Sequence, residues 1–147
     1  MITNSPDETK NAAVKFATEN IAPGDVIALV GSLGAGKTCF AKGIIEHITG
    51  VNDNFQGSPT FALVQEYDTK RETETSILKV YHFDFYRVKN EMELLHIGWQ
   101  EYIADKNGVC VIEWADLYPQ LLPPEAKWIK INAEDENKRV ITTFQNK

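Results

Sequence analysis

The sequence is poor in cysteine and has no long apolar run. Its two cysteines, Cys39 and Cys110, do not form a Cys-x-x-Cys pair, which favours a reducing compartment over a disulfide-stabilised, secreted protein. No apolar run approaches the roughly 18 residues that a membrane span needs, and mean hydropathy is -0.30. The polar first 15 residues lack the apolar core of a signal peptide. We therefore expect a cytoplasmic protein with no membrane partner.

Positive charge is also scarce. Arginine occurs only at Arg71, Arg87 and Arg139, and the 147-residue chain has a net charge of -6 at pH 7. A protein that holds RNA or DNA by itself usually presents a basic face. We therefore expect any contact with nucleic acid to be indirect, through a partner protein.

The order of the apolar runs predicts one α/β domain over residues 1–147, since 43% of the chain is hydrophobic. Fully apolar runs at 26–30 and 109–112 are typical of buried parallel strands. The other predicted elements are helices at 6–20, 37–49 and 91–104 (the last broken near Gly98), a hairpin-like pair of strands at 61–68 and 77–87, and closing strands at 127–132 and 139–145. This alternation predicts the three-layer fold of P-loop NTPases, with a mostly parallel sheet and an antiparallel, hairpin-like part.

A glycine-rich loop follows the first apolar strand. Residues 31–38 read Gly-Ser-Leu-Gly-Ala-Gly-Lys-Thr and match G-x-x-x-x-G-K-[ST] at every required position. Glycines let the backbone approach a ligand, and successive N–H groups at a helix N-terminus bind anions. We predict that Lys37 contacts the β- and γ-phosphates of a nucleotide and that the Thr38 hydroxyl binds Mg²⁺. The predicted nucleotide contacts are Ser32, Leu33, Gly34, Ala35, Gly36, Lys37, Thr38 and Cys39.

Two acidic residues are candidates for completing the metal site. Glu113 ends the apolar run 109–112, where P-loop proteins place a metal-binding carboxylate. Asp84 lies in an alternating strand and shares a face with His82 and Tyr86. It either contacts the metal through water or orients the attacking water, and the alternative is a surface carboxylate. For His82, a packed or exposed histidine is favoured over a role in the site.

Three further residues have a functional and an ordinary interpretation. Thr60 lies in Ser-Pro-Thr-Phe, where switch-type NTPases sense the γ-phosphate, or in a simple turn. Trp114 either packs in the core or presents a flat ring beside the nucleotide. Arg87 pairs with phosphate or a carboxylate, or forms an exposed salt bridge. The Cys39 thiol is favoured as a packing group over a thiol of lowered pKa.

Two motifs that the sequence lacks limit the choice of nucleotide and of reaction. The chain has no Asn-Lys-x-Asp motif for guanine, so ATP is favoured. Three scattered arginines match poorly the arginine-rich lid of small-molecule P-loop kinases. A small-molecule or nucleoside kinase remains an alternative, as does a nucleotide-dependent binding module without useful turnover.

Four motifs together resemble the TsaE (YjeE) family, the ATPase of bacterial threonylcarbamoyladenosine synthesis on tRNA. They are the loop at 31–38, Ser-Pro-Thr-Phe at 58–61, His-Phe-Asp-Phe-Tyr-Arg at 82–87 and Ile-Glu-Trp at 112–114. The resemblance extends from the first helix to about residue 132. It implies that Thr38 and Glu113 serve Mg²⁺, that Thr60 is the family's switch-like threonine and that Asp84 is its second essential acid. Asp84, Thr60 and Glu113 are thus the predicted catalytic residues, and Trp114 is the family tryptophan at the nucleotide site.

The resemblance also implies partners and a division of labour. TsaD and TsaB act with TsaE to transfer a threonylcarbamoyl group to the adenosine next to the anticodon. In that scheme the present chain hydrolyses ATP, weakly alone and faster with its partners, and thereby resets the TsaB–TsaD complex. Ser32 and Cys39 depart from the Asp and second Thr that are frequent in the family.

Overall fold

The computed structural model describes residues 1–32, 34–50, 63–70 and 76–144. Its strands are β1 (Ile2–Thr3), β2 (Val26–Val30), β3 (Val64–Asp68), β4 (Lys79–Asp84), β5 (Gly108–Glu113), β6 (Lys127–Ala133) and β7 (Arg139–Phe144). Its α-helices are α1 (Pro6–Asn20), α2 (Lys37–Thr49), α3 (Glu91–His96) and α4 (Trp99–Ala104), and 3₁₀ turns cover Phe85–Arg87, Ala115–Leu117 and Pro119–Leu121. No helix in these ranges has the length and apolar character needed to cross a bilayer.

The strands form one sheet in the order β1-β7-β6-β2-β5-β4-β3. The four central strands β6, β2, β5 and β4 are parallel. At one edge β3 pairs antiparallel with β4, and at the other β7 and β1 continue antiparallel from β6. The prediction of an α/β fold with a mostly parallel sheet and an antiparallel, hairpin-like part is confirmed.

Strand β2 is apolar throughout because both faces of the sheet are covered. Ile27 and Leu29 pack in a core cluster with α1 and α2. Val26, Ala28 and Val30 belong to the opposite cluster, which contains Trp99 of α4 and Leu94 of α3. The alternation of side chains along a strand thus produces the three layers that the sequence predicts.

The first helix begins where its capping residues predict. The Ser5 hydroxyl accepts a hydrogen bond from the Glu8 N–H at 3.1 Å, and Pro6 occupies the first turn. The helix packs closely on α2 at Gly43, where a Cβ atom would lie 2.7 Å from the Ala13 Cβ and 2.9 Å from the Lys10 carbonyl oxygen. This close contact fixes the position of α1 against α2, the helix that follows the glycine-rich loop.

Strand β4 ends earlier than the sequence predicts. The prediction extended it to residue 87, but the Asp84 carboxylate accepts a hydrogen bond from the Tyr86 N–H at 3.1 Å and turns the chain into a 3₁₀ turn. Tyr86 therefore leaves the face that it was predicted to share with Asp84 and His82, and it is 60% exposed. The strand itself is buried on both faces from Val80 to Asp84.

The parallel strands bring three separate segments to one edge of the sheet. Asp84 pairs in register with Glu113, and Glu113 pairs with Leu29 of β2. The glycine-rich loop leaves β2 one residue later, after Val30. Ligands of open α/β sheets bind at the carboxyl ends of the strands. We therefore expect a functional site at the carboxyl ends of β2, β5 and β4.

Candidate active site

The glycine-rich loop, residues 31–38, has a backbone that its glycines make possible. Gly31 has φ of 143°, and a Cβ atom there would clash with the Ile131 carbonyl oxygen of β6. Gly36 has φ of 103° and precedes the first residue of α2. A side chain at either position would disturb the loop, so these two glycines are structural requirements of the site.

The Lys37 side chain folds back onto the glycine-rich loop. Its Nζ donates hydrogen bonds to the carbonyl oxygens of Gly31 at 2.8 Å and Ser32 at 2.6 Å. The same atom lies 4.1 Å from the centroid of the Trp114 ring, a cation–π contact. Burial lowers the pKa of Lys37, and the negative charge of Glu113 is the main opposing influence. These contacts thus hold the ammonium group at the glycine-rich loop.

A chain of hydrogen bonds connects α2, β5 and β4. The Thr38 hydroxyl donates to Oε1 of Glu113 at 2.7 Å, and the Nε2–H of His82 donates to Oε2 at 2.6 Å. Nε2 is assigned as the donor because an ionised carboxylate only accepts hydrogen bonds. Glu113 is 2% exposed and His82 is fully buried. Both oxygens of the Glu113 carboxylate are therefore held in place.

Asp84 completes an acidic pair with Glu113. It is 6% exposed, which rules out the surface carboxylate considered from the sequence. Burial, followed by repulsion from Glu113, raises the pKa of its carboxyl group, and the Tyr86 N–H and the Arg87 guanidinium oppose this. The Arg87 Nε lies 3.5 Å from Oδ2 of Asp84, so Arg87 pairs with a carboxylate here.

Trp114 follows Glu113 with an unusual backbone conformation. Its φ of 59° and ψ of 36° lie in the left-handed region, and among the described residues it is the only residue other than glycine with positive φ. Its ring contacts Tyr86 at 4.9 Å between centroids. Such strain costs on the order of 1–3 kcal/mol and persists where neighbouring contacts require it. Here it places a flat ring against Lys37.

These residues enclose one cavity of about 450 Å³. The volume lies within the range of small-molecule sites, roughly 300–1,000 Å³. Its lining comprises Gly34, Gly36, Lys37, Thr38, Asp84, Tyr86, Arg87, Glu113 and Trp114. The structure thus brings together seven residues predicted from the sequence and adds Tyr86 and Arg87.

Comparison with known proteins assigns the chain to a family. The family model described as "Threonylcarbamoyl adenosine biosynthesis protein TsaE" matches residues 3–141. The chain belongs to the TsaE family. A relative named tRNA threonylcarbamoyladenosine biosynthesis protein TsaE from Rickettsia felis is 38% identical over 99% of this chain and 80% of its own length. Its namesake from Bacillus subtilis is 40% identical over 95% of this chain and 81% of its own length.

A solved structure agrees with the assignment to TsaE. The crystal structure of Bacillus subtilis YdiB matches with a TM-score of 0.72 and 35% identity, covering 99% of this chain and 83% of that one. The resemblance to TsaE that four motifs predicted is confirmed, and with it a family of threonylcarbamoyladenosine biosynthesis proteins.

Some predicted residues of this TsaE chain lie beside the cavity instead of lining it. Ser32 uses its carbonyl oxygen to hold Lys37, and Ala35 is buried with its N–H donating to that same carbonyl at 3.1 Å. The Cys39 thiol donates to the Pro6 carbonyl oxygen at 3.4 Å, and burial raises its pKa, so the alternative of a lowered thiol pKa is wrong. Leu33 and Thr60 lie outside the described residues, and their predicted roles stay predictions.

Two residues of the TsaE site were underestimated from the sequence. His82 was expected to be a packed or exposed histidine, yet it contacts Glu113. Its signal was the alternation with Asp84, which places both side chains on one face of β4. Arg139 had no signal: its Nη2 lies 3.4 Å from the Gly34 carbonyl oxygen, and β7 brings it to the loop from more than 100 residues away.

Proposed function

We propose that this protein binds and hydrolyses ATP in support of tRNA threonylcarbamoyladenosine modification at the adenosine next to the anticodon, acting on a complex of TsaB and TsaD. The observation that carries the proposal is the convergence of Lys37, Thr38, Asp84 and Glu113 on one cavity. A buried ammonium group, a hydroxyl and two carboxylates are the groups that phosphoryl-transfer sites use.

The glycine-rich loop supplies the phosphate end of the proposed ATP site. Its backbone N–H groups precede α2, whose N-terminus favours negative charge. Lys37 already lies within the loop, so a phosphate oxygen replaces the carbonyl oxygens of Gly31 and Ser32 as its hydrogen-bond acceptor. Little side-chain ordering is then required on binding.

Thr38 and Glu113 fit Mg²⁺ because the donors at this corner of the cavity are oxygen atoms. Mg²⁺ in nucleotide sites is held by one or two carboxylates together with phosphates and water. The 2.7 Å hydrogen bond between the Thr38 hydroxyl and Glu113 places both groups where one ion would contact them. Thr38 and Glu113 would hold such an ion, and its positive charge would offset the negative charge that develops on the phosphates.

Asp84 is proposed to orient the attacking water. Its carboxylate borders the cavity beside Glu113, and its raised pKa suits a group that accepts a hydrogen bond from water. Arg87 and Trp114 also line this cavity. Thr60 is proposed as a sensor of the γ-phosphate, and this proposal rests only on the Ser-Pro-Thr-Phe motif.

The role in tRNA modification and the partners rest on the family. Relatives from Rickettsia felis and Bacillus subtilis are named tRNA threonylcarbamoyladenosine biosynthesis proteins. The net charge of -6 supports an indirect contact with tRNA. TsaB and TsaD are therefore the proposed partners, and ATP hydrolysis is proposed to reset their complex.

The test is phosphate release from ATP with and without TsaB and TsaD. We expect slow release alone and faster release with both partners. Lys37→Ala should abolish nucleotide binding measured by calorimetry. Lys42→Ala should retain it, because this half-exposed lysine of the same helix pairs with Glu46 and does not line the cavity. An unchanged rate with no complex on gel filtration would contradict the partnership. Transfer of phosphate to a small acceptor, in place of free phosphate, would contradict the hydrolase.

A further inference from the structure

His82 is a fully buried histidine of strand β4. Its chain neighbours Tyr81 and Phe83 belong to the core cluster on the opposite face of the sheet, whereas Val80 and Asp84 share its own face. Its register partners are Gln65 of β3 and Val111 of β5. A polar ring at such a position costs free energy unless it is hydrogen-bonded. An apolar side chain would fill the space without that cost, so packing alone does not explain a histidine here.

His82 is hydrogen-bonded to Glu113, the carboxylate of the proposed metal site. Nε2 lies 2.6 Å from Oε2, the oxygen opposite the one that accepts from Thr38. The last torsion of a glutamate is broad and roughly two-fold. Two donors, one on each oxygen, restrict that torsion and keep Oε1 turned toward Thr38 and the glycine-rich loop.

We infer that His82 is a positioning residue that fixes the Glu113 carboxylate and thereby sets the affinity of the site for the divalent cation of the nucleotide. The inference deepens the proposed function and rests on it. His82 is not among the residues that line the cavity, and it reaches the site through Oε2 of Glu113. Its loss should weaken binding of the cation and leave binding of metal-free nucleotide unchanged.

The test compares three substitutions at this position. His82→Gln carries an amide N–H at the distance of Nε2 and can still donate to Glu113. His82→Asn is equally polar but too short to reach, and His82→Leu removes the donor. The probe is Mn²⁺, titrated by electron paramagnetic resonance in the presence of ADP. Binding of ADP in EDTA is measured by calorimetry, and thermal melting reports whether each variant is folded.

We expect His82→Leu and His82→Asn to weaken Mn²⁺ binding by roughly 10–100-fold, the usual effect of removing a partner that orients a metal ligand. His82→Gln should restore most of the affinity, and ADP binding in EDTA should be the same in all folded variants. If His82→Leu does not fold, the comparison of Gln with Asn gives the same information.

Two results would overturn the inference while the proposed function stands. One is Mn²⁺ affinity that is equal in wild type, Asn and Gln variants. The other is a parallel loss of Mn²⁺ and metal-free ADP binding in every variant, which indicates a merely structural role. A wild-type protein that binds ADP but never Mn²⁺ would overturn the proposed metal site, and the inference with it.

Discussion

Asp84 and Glu113 are two buried carboxylates at paired positions of neighbouring strands. Burial and the Glu113 charge place the pKa of Asp84 above its usual value. A carboxyl group whose pKa is raised in the folded state favours folding at low pH and loses that contribution as pH rises through the folded pKa. At neutral pH the ionised Asp84 therefore opposes folding. Residues that serve a function can lower the stability of a protein in this way.

Replacing Asp84 should make the protein more stable and less active. We expect Asp84→Asn to raise the free energy of unfolding at neutral pH by about 1 kcal/mol, because the amide oxygen still accepts from the Tyr86 N–H without a charge. Urea unfolding measures the gain, which should shrink as the pH falls through the raised pKa of Asp84 in the folded protein. Phosphate release from ATP should fall.

Asp68→Asn is the matched control for this change, because its side chain is 81% exposed. An exposed carboxylate of β3 near Lys79 should contribute little to stability. Equal gains in the two variants, or a loss of stability in Asp84→Asn, would contradict the destabilising role of the buried charge.

The sequence predicts those site residues that belong to a continuous motif or directly follow one strand. Gly31, Lys37 and Thr38 follow from one continuous motif, and Glu113 follows from the apolar strand before it. His82 and Glu113 are 31 residues apart in the chain, and their hydrogen bond depends on the register of β4 and β5, which no local pattern encodes. The left-handed backbone of Trp114 likewise depends on its neighbours in space.

The helices α1 and α2 illustrate how an element's packing overrides its propensity. Gly43 lies within α2, where alanine is the better helix former by about 1 kcal/mol. The Ala13 side chain and the Lys10 carbonyl oxygen leave no room for a Cβ atom. The crossing of the two helices therefore requires glycine at this position.

We expect Gly43→Ala to lower the free energy of unfolding by on the order of 1 kcal/mol, because overpacking costs more than the propensity returns. Thermal or urea denaturation measures the change. Asn11→Ala on the exposed side of α1 is the control, since it improves propensity without a clash and should be neutral or slightly stabilising. Stabilisation by both substitutions would show that the helices separate readily.

Most element boundaries could be predicted because they depend on residues beside them. Ser5 starts α1, and Gly50 ends α2 with φ of 71°. The end of β4 was misplaced because the Asp84 side chain turns the chain, which the alternating pattern conceals. The two residues of β1 are too few for any pattern and pair with β7 from the far end of the chain.

Across the whole molecule, the cavity is formed by three segments that are distant in sequence. Residues of the glycine-rich loop, of 84–87 and of 113–114 all line it. The sequence predicts the fold class and these segments, but not the strand order that makes β2 and β4 both neighbours of β5. That order is decided by the packing of the complete sheet.

A ligand that contacts all three segments should stabilise the entire fold. At a concentration about 100 times the Kd, binding adds about 2.7 kcal/mol, which corresponds to a rise in Tm of roughly 5–10 °C for a chain of this size. Differential scanning calorimetry with Mg²⁺ and a non-hydrolysable ATP analogue measures this. Lys37→Ala should lose the shift, and Lys42→Ala should keep it. A shift that survives in Lys37→Ala would place the ligand elsewhere.

The contact of Lys37 with Trp114 makes the protein an optical reporter of its own site. Trp99 and Trp128 are buried in the core cluster that contains α4, whereas Trp114 is partly buried at the cavity. Drawing the Lys37 ammonium away from the indole, now 4.1 Å from the ring centroid, changes the electric field across that one chromophore. Tryptophan emission should therefore change when a nucleotide binds, and in Trp114→Phe the two remaining indoles should give a constant signal. If the emission of Trp114→Phe still changes when nucleotide binds, the change comes from Trp99 or Trp128. Binding would then rearrange the core around these two buried indoles.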